Sequence, residues 1–264
     1  MRPVDLYHTS AGRGSPALVF LHYYGGSSRA WDAVAAALAP AHRCVAADLR
    51  GFGRSPAPPI GYAVDDSADD VAALVAALGL DGPSGGYVLV GHSMGGKIAM
   101  TLAARRPAGL AGLVLVAPSP PTPEPMTDAS RAHTLATYGD PAAAAETARQ
   151  ITRRPLAPAA FDQVVADNLR TSHPAWDAWM LEGTLEHIAD RMPHIDVPAL
   201  VVAGVTDPVM AHAMLEREVR DRIRGAHMVD VPDVGHLIPY EAPGALAAAI
   251  GEFVRDSVAA PTVA

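Results

Sequence analysis

Short apolar runs recur along the chain, and stretches with helical spacing separate them. Continuous apolar runs of this length are typical of strands that helices cover on both faces of a sheet. Strands that alternate with helices predict crossover connections and a mostly parallel sheet. The strand-like runs are VDLYHTS (4–10), ALVFLH (17–22), CVAADL (44–49), YVLVG (87–91), LVLVA (113–117), ALVVAG (199–204) and MVDVP (228–232).

Helical spacing is clearest in two segments, one before the fourth run and one near the C-terminus. Apolar residues at positions i, i+3, i+4 and i+7 predict an amphipathic helix in each. Asp65, Asp66 and Ser67 are the candidates for the N-cap of the first helix. The apolar positions are Val71, Leu74, Val75 and Leu78 in the first segment, and Leu246, Ile250, Phe253 and Val254 in the second.

The alternation of strands and helices stops after Pro118. From Ser119 to about Met192 the chain opens with a proline-rich stretch and continues with alanine-rich text of helical character, without a strand-like run. The segment VPALVVAG then resumes the earlier pattern. The pattern predicts one core domain formed by residues 1–118 and 191–264, with a helical insertion at 119–190.

Composition and charge narrow the classes of function. A chain of 264 residues suits a single domain with an insertion. Its net charge of -8 offers no attraction to nucleic acids or anionic membranes. No apolar run approaches the roughly 18 to 20 residues that cross a bilayer. The stretch MRPVDLYHTS lacks the features of a secretory signal, and the single cysteine, Cys44, cannot form an internal disulfide, so a cytoplasmic protein is expected.

Glycines crowd around one serine directly after a strand-like run. Gly91-His92-Ser93-Met94-Gly95 matches the pattern G-x-S-x-G, in which a serine stands on a strained strand-to-helix corner with its hydroxyl exposed. A strand-like run precedes the match, and a stretch with helical spacing follows it. This context predicts that Ser93 is a nucleophile.

A serine nucleophile needs a base to take its proton and a carboxylate to orient that base. Loops at the carboxyl ends of parallel strands meet at one edge of the sheet, where Ser93 is expected. Asp207 follows the run ALVVAG and His236 follows the run MVDVP, so both are predicted at this edge. The order Ser93, Asp207, His236 is the one expected for this architecture.

Three other aspartates compete with Asp207 for the role of the acid. Asp196 precedes its strand and belongs at the opposite edge, and Asp230 lies within a strand. Asp233 is too close to His236 in the chain to approach the imidazole easily from behind. The sequence therefore favours Asp207.

With these residues, the chain resembles the α/β-hydrolase superfamily over essentially its full length. Four ordered blocks carry the resemblance. It implies an α/β-hydrolase fold, with a mostly parallel central sheet of seven or eight strands flanked by helices and a helical cap inserted after the sixth strand. The first of the usual eight strands is the one expected to be missing. The blocks are LHYYGGSSRAWD (21–32), DLRGFGRS (48–55), GHSMGGKIAM (91–100) and the pair Asp207 and His236.

The resemblance also implies an oxyanion hole built from backbone N–H groups. Met94 supplies one donor because it starts a helix whose first amides are unpaired. The second is expected from the loop after ALVFLH, where alignment of Gly25 and Gly26 with the family makes Tyr24 the donor. Relatives commonly carry glycine where this chain has Tyr23, so a loop that needs glycine at that position would be rearranged.

The remaining candidates concern the substrate. Tyr23, His92, Trp176 and Trp179 are the candidates to line a pocket for a small molecule with an apolar portion. Lys97, in the first turn of the predicted helix, has either a partner or access to solvent. The sequence shows no metal-ligand spacing and no dinucleotide fingerprint, so no cofactor is expected.

These observations predict a cofactor-independent serine hydrolase that cleaves a carboxylic ester or a similar acyl compound. The block GHSMGGK is similar to those of small-acyl carboxylesterases. Several alternatives use the same motifs: C–C bond hydrolases, lactonases and cofactor-free perhydrolases or haloperoxidases. A slow ligand-binding receptor that keeps the triad is a further alternative. Turnover of esters, lactones and β-diketones separates these classes.

Overall fold

A seven-stranded sheet forms the centre of the molecule in the computed structural model, which describes residues 2–82 and 86–258. The strand order is β1-β3-β2-β4-β5-β6-β7, and β1 alone pairs antiparallel with its neighbour. The strands are β1 (His8–Ala11), β2 (Ala17–Leu21), β3 (Cys44–Ala47), β4 (Tyr87–His92), β5 (Leu110–Val116), β6 (Ala199–Gly204) and β7 (His227–Val231).

The predicted mostly parallel sheet is confirmed, and each strand-like run overlaps a strand. The largest difference in bounds is in β1, which begins at His8, four residues after the start of its run, and β5 begins at Leu110, three residues before its run. Within the described residues no strand precedes β1, so the sheet has seven strands rather than eight. The helical stretch predicted after the sixth strand therefore follows β5 of this chain. Strand β5 corresponds to the sixth strand of an eight-stranded sheet whose first strand is missing here.

Ten α-helices connect and flank these strands in the described part of the chain. The described residues also form three 3-10 segments, Ser28–Trp31, Ala189–His194 and Arg220–Arg222, and a π-helical turn, Trp179–Gly183. The helices are α1 (Asp32–Leu38), α2 (Val64–Ala77), α3 (Met94–Ala104), α4 (Asp128–Ala136), α5 (Pro141–Ile151), α6 (Pro158–Leu169), α7 (His173–Ala178), α8 (His212–Glu218), α9 (Ile238–Glu241) and α10 (Pro243–Ser257).

The two predicted amphipathic helices are α2 and α10, but the predicted N-cap of α2 is wrong. The helix begins at Val64, so Ala63 is the N-cap and Asp65 and Asp66 lie in the first turn. Asp66 instead accepts a hydrogen bond from the Ala63 N–H at 3.2 Å through its side chain. Carboxylates in the first turn also favour the positive end of the helix dipole.

Side chains from alternate strand positions build a separate apolar layer on each face of the sheet. Helices α2, α3 and α8 cover one layer, and α1 and α10 cover the other. In β4, Leu89 belongs to the first layer, while Val88 and Val90 belong to the second. Burial on both faces explains why these strands read as continuous apolar runs.

Residues 119–190, which we call the helical insertion, contain α4, α5, α6, α7 and the π-helical turn. Its side chains line a cavity together with residues at the carboxyl ends of β2, β4, β6 and β7. The chain order reverses between β2 and β4, because β3 lies on one side of β2 and β4 on the other. Ligands of open α/β sheets bind at such a reversal, outside the carboxyl ends of the strands. None of the described helices has the length and apolar character needed to span a membrane.

Candidate active site

Ser93 stands on a sharp corner between β4 and α3. Its backbone angles are φ 52° and ψ −116°, in a region that residues other than glycine rarely adopt. The corner is held on both sides, because the Ser93 N–H donates to Val116 O at 3.0 Å and the Ser93 carbonyl accepts from the Ser119 N–H at 2.9 Å. The predicted strand-turn-helix context of this serine is therefore present.

The glycines around Ser93 are required by close backbone contacts. A Cβ atom at Gly91 would lie 2.3 Å from the carbonyl oxygen of Gly95. A Cβ atom at Gly95 would lie 2.5 Å from the carbonyl oxygen of Leu21, at the end of β2. Any side chain at either position would push the corner away from the neighbouring backbone, so these two glycines fix the position of the serine.

The structure brings Ser93, His236 and Asp207 into one hydrogen-bonded chain. His236 Nε2 lies 3.0 Å from Ser93 Oγ, and His236 Nδ1 lies 2.8 Å from Asp207 Oδ2. All three side chains are buried. Because an ionised carboxylate only accepts hydrogen bonds, His236 donates through Nδ1–H to Asp207 and its Nε2 accepts from the Ser93 hydroxyl. This arrangement can remove a proton from the serine.

Asp207 is held in its ionised form by several donors. Its other oxygen, Oδ1, accepts from the N–H groups of Val209 at 2.7 Å and Met210 at 3.0 Å. Burial alone would raise the pKa of the Asp207 carboxyl, but the charge and hydrogen bond of His236 and these two amides outweigh it. The pKa of Asp207 therefore lies below its ordinary value.

The competing aspartates lie elsewhere in the structure. Asp196 pairs with Arg106 at 3.2 Å, and Asp230 pairs with His212 at 2.8 Å. Asp233 forms a turn with φ 55° in the loop before His236. The elimination of these residues by chain position agrees with the structure.

The two N–H groups proposed as oxyanion donors are available. In the described part of the chain, neither the Tyr24 N–H nor the Met94 N–H donates a hydrogen bond to another protein group. Met94 is the first residue of α3, and Tyr24 lies in the loop after β2 and lines the cavity. Unpaired backbone amides next to a nucleophile can stabilise negative charge on a substrate oxygen.

The loop that carries Tyr24 does not need glycine at position 23. Outside glycine, the described residues with positive φ are Ser93, Arg106, Ala117 and Asp233, so Tyr23 has ordinary backbone angles. His22 supports this loop, since its Nδ1–H donates to Tyr23 O at 2.7 Å and its Nε2 accepts from Leu49 N–H at 2.9 Å. Tyrosine at position 23 is therefore compatible with the fold of the loop.

A cavity of about 190 Å³ opens directly above Ser93 and His236. Three of the four predicted pocket residues, Tyr23, Trp176 and Trp179, line it. Apolar side chains make up much of the wall, and α4, α5, α6 and the π-helical turn all contribute. The apolar and aromatic lining residues are Tyr23, Tyr24, Met126, Ala143, Ala144, Ala148, Ile151, Val164, Trp176, Trp179, Met180, Val209 and Met210.

The prediction that His92 lines the pocket is wrong. His92 is the last residue of β4 and is completely buried. Its ring packs 5.2 Å from that of Tyr23 and 5.1 Å from that of His236, and its Nε2–H donates to the His236 carbonyl at 2.8 Å. Its side chain points into the layer beneath the cavity, so it supports the loop of His236 rather than facing a ligand. Burial lowers the pKa of His92 well below its ordinary value, so the ring is neutral.

Glu124 is a cavity residue that the sequence does not reveal. It lies in the proline-rich stretch, where no periodicity indicates the direction of a side chain, yet it lines the cavity with Ser93 and His236. Burial raises the pKa of its carboxyl, although the Ser119 hydroxyl and the charges of Lys97 and His236 act in the opposite direction. The only signal in the sequence is a single carboxylate shortly after β5.

Lys97 has partners and does not reach solvent. It is completely buried in α3, and its Nζ donates to the carbonyl oxygens of Glu186 at 2.6 Å, Gly183 at 3.2 Å and Thr122 at 3.4 Å. Burial lowers the pKa of Lys97 to about 8, although Glu124 and Glu186 oppose this shift. Among residues 2–82 and 86–258, no group of three or more histidine, cysteine, aspartate or glutamate side chains could hold a metal ion.

Comparisons with known proteins agree with this geometry. A model of the alpha/beta hydrolase family matches residues 18–249. The non-heme chloroperoxidase of Streptomyces lividans is 33% identical over 74% of this chain and 76% of its own length. The N-formylmaleamate deformylase of Pseudomonas putida is 29% identical over 94% of this chain and 91% of its own length.

A solved structure gives the same result for the whole chain. The thermophilic esterase from Thermogutta terrifontis superposes with a TM-score of 0.83 at 26% identity, covering 97% of this chain and 95% of that one. The sheet, the serine corner and the match over residues 18–249 lead to one conclusion: the chain belongs to the alpha/beta hydrolase family.

Proposed function

We propose that this hydrolase is a cofactor-independent serine hydrolase that cleaves a carboxylic ester or a similar acyl compound. The observation that carries the proposal is the relay of Ser93 Oγ, His236 and Asp207, with contacts of 3.0 Å and 2.8 Å at the floor of a cavity. A serine activated by a histidine-carboxylate pair is the arrangement required for nucleophilic attack on a carbonyl carbon.

The reaction proceeds through an acyl-enzyme. Ser93 Oγ attacks the carbonyl carbon while His236 Nε2 takes the hydroxyl proton, and the oxyanion accepts from the N–H groups of Met94 and Tyr24. The ester C–O bond then breaks, and the alcohol leaves with the proton from His236. Asp207 stabilises the imidazolium and keeps the Nδ1–H tautomer.

Water completes the cycle. It attacks the acyl carbon and gives a proton to His236, and collapse of the second tetrahedral intermediate breaks the bond to Ser93 Oγ. The proton returns to the serine, and the carboxylic acid is released. The products are one acid and one alcohol for each ester and water consumed.

The cavity favours an uncharged substrate with an apolar acyl or alcohol part. Within the described residues, no lysine or arginine lines it, so a carboxylate on the substrate would find no permanently charged cation there. The carboxyl group of Glu124 lies in the same wall and would repel an anion when ionised. Apolar and aromatic lining contributes binding energy through burial of the substrate surface.

The helical insertion serves as the cap over this reaction. It supplies most of the cavity wall opposite Ser93, and covering the site excludes bulk water from the charged intermediates.

The single cysteine, Cys44, is buried in β3, and its thiol has a pKa raised by burial to about 11, which suits an inert core residue. A cytoplasmic enzyme without nucleic acid or membrane partners is consistent with this composition.

The test is replacement of the nucleophile. Ser93→Ala should fold normally but lose about 10⁴-fold or more in kcat on a short-chain p-nitrophenyl ester, because alanine cannot form the acyl-enzyme. Ser10→Ala, at an exposed position of β1, is the matched control and should keep full activity. A fluorophosphonate probe should label the wild type and not Ser93→Ala. Retained turnover or labelling in Ser93→Ala would refute this function.

Perhydrolysis is a second candidate, favoured by the likeness to the bifunctional esterase/perhydrolase of Acinetobacter calcoaceticus, which is 27% identical over 89% of this chain. In this reaction hydrogen peroxide replaces water as the acyl acceptor, and the products are a peracid and free Ser93. A rate of peracid formation, from an ester and millimolar peroxide, that exceeds the rate of ester hydrolysis would favour it. Labelling by the fluorophosphonate without turnover of esters, lactones or β-diketones would instead indicate a ligand-binding receptor.

A further inference from the structure

The loop that carries His236 is bonded directly to the helical insertion. The His236 N–H donates to the carbonyl oxygen of Ile151, the last residue of α5, at 2.7 Å. A Cβ atom at Gly235 would lie 2.5 Å from the same oxygen, so the two backbones are in direct contact. The Arg154 guanidinium adds hydrogen bonds to Pro232 O at 3.0 Å and Asp233 O at 3.1 Å.

The buried carboxylate of Glu241, in α9 of the sheet domain, accepts hydrogen bonds from both sides of this contact. Its Oε2 accepts from the N–H groups of Arg153 at 2.7 Å, Arg154 at 2.9 Å and Gly235 at 3.0 Å. Its Oε1 accepts from the Leu237 N–H at 3.1 Å. Glu241 therefore joins both chain neighbours of His236 to residues of the insertion.

Four backbone donors on one buried carboxylate define its position closely. A hydrogen bond to a charged acceptor is about twice as strong as one to a neutral acceptor. Burial of a carboxylate without hydrogen bonds would cost free energy of folding. Glu241 does not line the cavity and makes no hydrogen bond to Ser93 or Asp207. Any effect of this residue on the reaction must therefore pass through the loop of His236.

The opposite side of the same backbone is held by β4. The His236 carbonyl accepts from His92 Nε2–H at 2.8 Å, so the peptide groups before and after the imidazole are fixed by different elements. On the insertion side, the helix that ends at Ile151 also faces the cavity, where its Ala144, Thr147 and Ala148 line the wall. The residue that accepts from the His236 N–H thus belongs to the same helix that lines the cavity.

We propose that Glu241 is a positioning residue for His236 and that, with residues 151–154, it forms a clamp through which the helical insertion holds the imidazole within reach of Ser93. The proposal rests on the proposed function, in which His236 is the base. The clamp gives the insertion a part in catalysis beyond covering the cavity. A displacement of reacting groups by about 1 Å can lower a rate by about 10²-fold, so loss of the clamp lowers turnover more than substrate binding.

The first experiment removes the carboxylate. Glu241→Ala is expected to lower kcat about 10²-fold on a p-nitrophenyl ester with a KM within about threefold of wild type. Glu241→Gln, whose amide keeps one accepting oxygen, is expected to recover part of the loss, at about 10-fold below wild type. The second-order rate of fluorophosphonate labelling should fall in parallel with kcat. Glu252→Gln, the same change at an exposed position of α10, is the matched control and should leave both rates unchanged.

The second experiment acts from the side of the insertion. Arg154→Pro removes the backbone N–H that donates a hydrogen bond to Glu241. Arg154→Ala keeps this N–H and loses only the hydrogen bonds of the guanidinium group. The proline variant is expected to lose about 10-fold more in kcat than the alanine variant. Circular dichroism checks that each variant is folded. If Glu241→Ala does not fold, Glu241→Gln and Arg154→Pro decide the question.

The outcomes separate this proposal from the function on which it rests. An active wild type whose Glu241→Gln and Arg154→Pro variants keep wild-type kcat and labelling rates overturns the clamp and leaves the serine hydrolase intact. A raised KM with unchanged kcat also overturns it, because the clamp would then shape the cavity alone. A wild type that neither turns over esters nor reacts with the fluorophosphonate refutes the proposed function instead.

Discussion

Tyr23 shows how one loop of the site accommodates a large residue at a position where the family resemblance predicts glycine. Its ring packs over Gly26, three positions later, where a Cβ atom would lie 2.7 Å and 2.9 Å from two ring carbons. Tyr23 itself has ordinary backbone angles. In this chain the need for a glycine therefore comes from side-chain contact at position 26 rather than from backbone conformation at position 23.

Gly26→Ala tests this contact. The added methyl group should lower the free energy of unfolding by about 1–3 kcal/mol, since the buried ring must move to make room. In a Tyr23→Ala background the same change should cost less than about 1 kcal/mol, because the ring is gone. Urea denaturation of the wild type, the two single variants and the double variant gives the coupling free energy between positions 23 and 26.

Two controls complete the cycle. Tyr23→Phe keeps the ring, so the cost of Gly26→Ala should persist in that background. Gly244→Ala, in α10 with no atom near the added Cβ, should be neutral or stabilising by up to about 1 kcal/mol. An equal cost of Gly26→Ala with and without the ring would show that the backbone, and not Tyr23, requires the glycine.

Sequence reasoning at the scale of residues succeeds where chain position decides the outcome. Ser93 directly follows β4, while Asp207 and His236 lie three and five residues after β6 and β7, and the geometry of a parallel sheet brings such positions together. It fails for His92 and Glu124, where the direction of a side chain decides. His92 ends a strand with its ring below the cavity, and Glu124 lies in a proline-rich stretch without a period.

At the scale of elements, α3 binds both ends of the helical insertion through one side chain. Lys97 is the only lysine in the sequence, and its Nζ donates to carbonyls at the start of the insertion, at Thr122, and near its end, at Gly183 and Glu186. The helix that begins at the nucleophile therefore also anchors the segment that covers it.

The lowered pKa of Lys97 predicts how stability depends on pH. The folded protein gives up the ammonium proton near pH 8, whereas an unfolded lysine keeps it to about 10.4. Between these values the unfolded state binds more protons, so stability rises with pH in this window. Relative to Lys97→Met, the free energy of unfolding of the wild type should increase by about 2 kcal/mol between pH 7 and pH 9.5.

Because the chain has one lysine, the same shift can be observed directly. Protein labelled with ¹³C-lysine has one side-chain ε-carbon resonance, whose titration midpoint should lie near pH 8. Urea denaturation at both pH values supplies the matching difference in stability. A midpoint above pH 10 would mean that the ammonium is not desolvated as the structure indicates.

The elements themselves follow largely from the sequence, whereas their mutual contacts do not. Runs of β-branched and apolar residues identify the strands, because both faces of the sheet are covered. The spacing of Leu246, Ile250 and Phe253 identifies α10 in the same way. The carbonyl partners of Lys97 lie 25 to 89 positions away, and the N–H groups of Arg153 and Arg154 that donate to Glu241 lie 88 and 87 positions away, so no local pattern indicates them.

At the scale of the whole molecule, polar contacts tie the helical insertion to the sheet domain, and three of these ties centre on the buried side chains of Asp167, Glu241 and Lys97. Asp167 in α6 accepts from Ser27 Oγ at 2.8 Å and pairs with Arg29. The clamp at Glu241 and the carbonyls around Lys97 form the other two ties. Buried polar contacts that are fully paired are costly to break one at a time, so the insertion and the sheet stabilise each other.

This arrangement predicts a single cooperative unfolding transition. Trp176 and Trp179 lie in the insertion and dominate its fluorescence, while far-ultraviolet circular dichroism reports on all helices and on the sheet. The two signals should give coincident midpoints in urea, within about 0.2 M. Trp31→Phe, which removes the remaining tryptophan from the sheet domain, sharpens the comparison. A fluorescence transition at distinctly lower urea would show an insertion that unfolds independently.

The overall organisation was accessible from the sequence because it depends on order along the chain. The break in alternation after Pro118 predicts a helical stretch between β5 and β6, and the structure has four helices there. The missing eighth strand also follows from a count of runs. The shape of the cavity depends on how the insertion packs over Ser93, which composition alone does not specify.

The two strands at the margins of the sheet have a consequence for behaviour at high concentration. The strand β1 has four residues and reads HTSA, and β7 has five and includes His227 and Asp230, with largely exposed side chains in both. Unpaired strand margins can template fibril growth, and short polar strands oppose it. Both open margins are short, and each carries polar residues at exposed positions, so we expect them to oppose pairing between molecules in concentrated solutions.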